Sequence, residues 1–141
     1  MVKMRLGINL VSNSVGLLVL GLCCISSSAQ HMNAADAPCK NAGSNAEITQ
    51  CFVDTNRAAD KRLNEFYGQI KKAIDGEEWA KLQAAQRLWI QFRDANCLAE
   101  QKLYEGGSAA SMVYYACLEA DTRQRTKELK TMYGWRIEKF Q

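Results

Sequence analysis

The stretch AQRLWIQFRDANC, Ala85 to Cys97, decides the fold. Around it Trp79, Leu82, Gln86, Trp89, Phe92, Asn96 and Leu103 recur at spacings built from threes and fours, with Ala85 beside them. Those steps keep one face of a helix toward a partner. The run stops at Gly106-Gly107. Because that face mixes tryptophan and leucine with glutamine, arginine and asparagine, it reads as a helix whose seam is partly polar.

Upstream, Ile48, Cys51, Phe52, Thr55, Ala59, Leu63, Phe66, Tyr67, Ile70 and Ala73 keep the same period. Ser44-Asn45-Ala46-Glu47 has the spacing of a capping box, which satisfies orphan amides at a helix start. Asp75-Gly76 is expected to end this run, glycine tolerating a left-handed closing turn, and Asp75 with Glu78 can cap the next helix. Downstream, Met112, Tyr115, Leu118, Thr122, Leu129, Met132 and Tyr133 form a third run that starts near Ser108 and is expected to stop at Gly134. The closing WRIEKFQ is left either to fray or to pack back. No stretch alternates strictly enough to read as a strand.

Three helices of about 25–30 residues with short connections must run antiparallel to their sequence neighbours. At about 1.5 Å per residue each is about 40 Å long. The expectation is therefore an all-α, elongated antiparallel three-helix bundle with a narrow core.

The chain has 141 residues and is 48% hydrophobic, one ordinary domain by size. Part of that apolar content precedes the bundle. Lys3 and Arg5, a nearly unbroken apolar run from Val15 to Ile25, and small residues ending at Ser27 and Ala29 make the three-part pattern of a signal peptide. Cleavage near Ala29 would give a signal peptide over 1–29, an extended tail over 30–43 and a helical domain over 44–141. The expected location is the periplasm or the medium. The apolar core is too short for the roughly 20 residues that span a bilayer, so no stable membrane insertion is expected. Lipidation at Cys23 or Cys24 is disfavoured, because Leu22 stands where a small residue is wanted.

The chain carries 18 Lys+Arg against 15 Asp+Glu, and only Lys3 and Arg5 leave with the leader, so the net charge falls from +3 to about +1. That balance argues against nucleic acid as a partner. Of six cysteines, Cys39, Cys51, Cys97 and Cys117 remain, which in an exported chain implies two disulfides. No spacing suits a metal, and the one histidine, His31, falls in the tail, read as disordered. No cofactor is expected.

Residues equidistant from a hairpin turn stand at one level. About Gly107, Cys97 faces Cys117, which leaves Cys39 with Cys51. About 76–77, Asp60 comes level with Arg93, Asn64 with Trp89 and Tyr67 with Gln86. The second hairpin adds Asp121 level with Arg93, and Arg125 level with Trp89. A working acid/base or ion site would use Asp60, Arg93, Asp94 and Asp121. The simpler reading is structural: Arg93 bridges carboxylates between helices, Asn64 and Gln86 hydrogen-bond across the seam, and Arg125 lies over the Trp89 indole. A hydrolase is disfavoured, because an arginine beside Asp60 and Asp121 favours ionised carboxylates rather than a general acid.

The ordered set Asp60-x-x-Leu63-Asn64-x-x-Tyr67, Leu82-x-x-x-Gln86-x-x-Trp89-x-x-x-Arg93-x-x-x-Cys97, Gly107, Cys117 and Thr122-x-x-Arg125-x-x-x-Leu129 resembles the LprI-like lysozyme-inhibitor domain family. The resemblance spans Cys39 to about Leu129. It implies an exported helical domain with paired cysteines, and also inhibition of lysozyme, hence a protein partner; no catalysis is expected from the residues themselves. The chain departs from the lipoprotein member of that family in having no credible lipobox and in ending soon after the domain. For an inhibitor, the tip Glu105, Gly106, Gly107 and Ser108 is the candidate contact, small residues entering a cleft and Glu105 meeting a basic surface. The competing reading is an envelope interaction module, such as an immunity protein or assembly factor.

Overall fold

A computed structural model of the chain describes residues 31–139. The expected signal peptide and the lipidation candidates Cys23 and Cys24 lie outside those residues. Three long helices follow a short 3-10 helix at His31–Asn33: α1 (Asn45–Ala73), α2 (Gly76–Lys102) and α3 (Ala110–Glu138). They have 29, 27 and 29 residues, so each is about 40 Å long. Among the described residues there is no strand, and no helix is long and apolar enough to cross a membrane. The protein is an all-α antiparallel bundle of three helices with two disulfides.

Both helix starts read from the sequence are built as expected. The Ser44 hydroxyl accepts from the Glu47 amide at 3.3 Å, and the Glu47 carboxylate accepts from the Ser44 amide at 2.8 Å. Asp75 accepts from the Glu78 amide at 2.9 Å. Two stops differ. Gly76 does not close α1 in a left-handed turn; α1 closes through Ile74 in extended geometry (φ −124°), and Gly76 is already the first residue of α2. The left-handed glycine is Gly106, at φ +81°. Gly134 does not stop α3 either, because Tyr133 and Ile137 on either side of it pack onto the core and hold the next turn.

α3 is the central helix. Both α1 and α2 pack along it, as does the 3-10 helix, whereas the backbones of α1 and α2 stay farther apart and meet through side chains. One apolar cluster, at the α1–α2 hairpin end, joins Leu63, Ile70, Leu82 and Leu129 with Trp79, Trp89 and Tyr133. Another, at the opposite end, joins Phe52, Met112 and Ala116 with Ala37 and Cys39. Between them Cys97, Cys117 and Leu118 form a third.

The segment before α1 is not an extended, disordered tail. Residues 31–43 run in tight turns, with backbone bonds from the Ala34 amide to His31 and from the Ala37 amide to Ala34. The α2 face also needs correction. Phe92 and Leu103, which share the period of the core residues, are 64% and 81% exposed. α2 carries apolar residues on both sides, and only the side bearing Leu82, Gln86 and Cys97 is buried.

Candidate functional site

Three groups of residues stand out: a polar seam in mid-bundle, a charged clamp on the N-terminal segment, and the α2–α3 tip. The seam is centred on Arg93. Its guanidinium donates to Asp60 at 3.3 Å, to the Thr122 hydroxyl at 3.0 Å and to Asp94 at 2.9 Å, tying α2 to both other helices. Its carbon lies 5.1 Å from the Trp89 ring centre, and that of Arg125 lies 5.7 Å from the same ring. Arg125 also donates to the Gln86 carbonyl at 3.0 Å. Such geometry neutralises charges that burial would otherwise penalise.

The level arithmetic places most of these residues together, with local departures. Gln86 turns to α3 and Arg125, while Tyr67, level with it on α1, packs its ring against Trp79 at 4.7 Å. Burial of that ring raises the Tyr67 hydroxyl above its ordinary range. Asn64 is exposed at the rim. Arg93 takes Thr122, the neighbour of Asp121, as its α3 partner.

Asp121 belongs instead to the clamp, which sequence reasoning missed. His31 Nδ1 is 2.8 Å from Glu100, and His31 Nε2 is 3.7 Å from Asp121. Nearby, Arg123 hydrogen-bonds both Asp36 and the buried Glu119, the latter at 3.0 Å. The Arg123 hydrogen bond holds Asp36 below the usual carboxylate range. The one available signal was Glu119 and Arg123 at i,i+4, which marks an ion pair but not its long-range partner.

Burial, more than the nearby His31 and Arg93, decides Asp121: it pushes that carboxyl above the usual range. That rise runs against the lowering that Arg93 brings. Glu100 adds to the rise, and His31 lies against both carboxylates. The two groupings with metal-ligand proximity, His31–Glu100–Cys117 and Cys97–Cys117–Asp121, each include disulfide sulfur. Such sulfur has no thiolate to offer an ion.

The disulfides are Cys39–Cys51 and Cys97–Cys117. The second braces the α2–α3 hairpin ten residues below its tip. At the tip Glu105, Gly106, Gly107 and Ser108 are all exposed. Gly106 makes the turn, Glu105 pairs with Lys102, and Ser108 accepts from Asn45 of α1 at 3.0 Å. A shallow hollow of about 380 Å³ opens beside Glu105 and Gly106, walled by Leu98, Gln101 and Ala110. This arrangement offers a rigid, small-residue protrusion with one acid.

Residues 35–129 match the family described as Lysozyme inhibitor LprI. The match begins in the clamp segment and takes in both disulfides, the Arg93 seam and the tip. The chain is also similar to an uncharacterized protein of Rhizobium meliloti (strain 1021), 34% identical over 129 residues, which cover 82% of this chain and 91% of that one. No solved structure matches it.

Proposed function

This chain belongs to the LprI lysozyme-inhibitor family, and on that footing we propose that it is an exported binding protein that occludes a lysozyme or related muramidase. The family match over residues 35–129 carries the reading. The signal-peptide pattern of residues 1–29 supports export to the periplasm or the medium. Binding rather than catalysis fits side chains already committed to one another: oxidised cysteines, carboxylates on arginines, and a histidine held by Glu100.

The tip Glu105–Ser108 is the proposed contact. Inhibition requires a shape that enters a cleft without losing much entropy, and a hairpin braced by Cys97–Cys117 meets that requirement. The test is clearing of a peptidoglycan suspension by lysozyme with the protein added at micromolar concentration. Saturable slowing is expected, weakened about tenfold by Glu105→Lys, the loss expected when a charge pair at an interface becomes a repulsion. Unchanged clearing with the parent protein would overturn the reading. Full inhibition by the Glu105→Lys variant would move the contact to the helix faces.

A further inference from the structure

Among the described residues, nothing packs on the outer face of α2. Ala85, Leu88, Phe92, Ala95 and Ala99 follow one another at alternating steps of three and four, and all are exposed. Leu88 and Phe92 are 67% and 64% exposed, and Leu103, at the end of the same stripe, is 81% exposed. No charged residue interrupts these positions between Lys81 and Lys102. A spacing of this kind is the seam of a two-helix contact.

We propose that this seam pairs with a second copy of the chain, α2 against α2, antiparallel about a two-fold axis between residues 93 and 94. In that register every large side chain meets a small one. Phe92 lies opposite Ala95 of the second copy, Leu88 opposite Ala99, and Leu103 beside Ala85. A two-fold axis makes each of these contacts twice. Knobs then have holes to enter, which a shift of three or four residues would remove.

Charge agrees with this register. The middle of the seam is neutral, so pairing brings no like charges together. Each end carries one acid and one base, Glu77 with Lys81 and Lys102 with Glu105, and the axis brings Lys81 of one copy within one residue of the level of Glu105 of the other. The seam residues are exposed and separate from the buried Leu82, Gln86 and Cys97, so neither the Arg93 network nor the Cys97–Cys117 bridge needs to move.

The experiment is sedimentation equilibrium across a wide concentration range, on protein recovered from the export compartment of an expressing host, comparing parent, Ala99→Leu and the double variant Leu88→Ala/Ala99→Leu. The parent is expected to be a reversible dimer. Ala99→Leu puts leucine against leucine twice and should weaken dimerisation about tenfold or more. The double variant exchanges the large and small positions and should return the affinity to near the parent value. General stickiness predicts the opposite order, because Ala99→Leu adds exposed apolar surface.

A parent that stays monomeric to millimolar concentration overturns the proposal. An Ala99→Leu variant that dimerises as well as the parent overturns the register and the pairing with it. Lysozyme clearing, measured alongside, keeps this proposal separate from the proposed function. Pairing sets Glu105 of the tip near Lys81 of the second copy, so Ala99→Leu should leave inhibition at least as strong as the parent's, and its loss would make the seam the lysozyme contact instead.

Discussion

Asp121 shows at one residue how burial can reverse a reading based on neighbours. Its side chain is 22% exposed, and loss of water raises its pKa despite His31, Asn96 and Arg93 beside it, with Glu100 adding to the rise. An acid whose folded pKa is raised keeps its proton to a higher pH in the folded chain than in the unfolded chain. Its contribution is therefore favourable below the ordinary carboxylate range and declines as pH rises through the raised pKa, leaving a cost at neutral pH. Asp121→Asn should raise the melting temperature at pH 7, with the gain disappearing toward pH 3. Thermal unfolding followed by circular dichroism at both pH values checks this. A lower melting temperature at pH 7 would mean that attraction to His31 and Arg93 outweighs burial. None of this was legible in the sequence, because the level count placed Asp121 beside Arg93 and could not reveal that His31, 90 positions earlier, folds back over it.

At the scale of elements, what could be read depended on whether the signal was local. The Ser44 and Asp75 caps are contacts three residues long, so their spacing sufficed. The Cys97–Cys117 level followed from a short turn and rigid helices, and the same geometry placed Asp60 beside Arg93. Choosing the buried face of α2 required more. Phe92 and Leu103 keep the period of Leu82 and Gln86, and no single helix reveals that α3, packed against both others, covers only one of its sides. Helix termini set by remote packing were equally hidden, as Gly134 shows. The α2 start can be tested directly. Asp75→Ala removes the acceptor for the Glu78 amide and should cost about 1 kcal/mol, read as a lower denaturation midpoint with an unchanged slope. A loss within error would mean that the turn is held by Ile74 and Trp79 packing, with the cap contributing nothing.

Across the whole molecule, stabilisation is divided along the bundle axis. The end with the α1–α2 turn holds the Leu63, Ile70, Leu82 and Leu129 cluster with its aromatic neighbours. The end with the tip has a cluster built partly from the N-terminal segment, and it carries the covalent links. A chain this short buries little surface, and there a disulfide adds most. Replacing Cys97 and Cys117 together by alanine should therefore cost about 2–4 kcal/mol and lower the melting temperature by roughly 10–20 °C. The loss should also be uneven. Hydrogen exchange is expected to accelerate first in the last turns of α2 and the first turns of α3, while the amides around Ile70 and Leu129 keep their protection. Because the proposed lysozyme contact stands on the hairpin so loosened, inhibition should weaken at temperatures where the helix content is still intact. Uniform acceleration along all three helices would instead show that the bundle opens as one unit, with the brace and the aromatic cluster belonging to a single cooperative core.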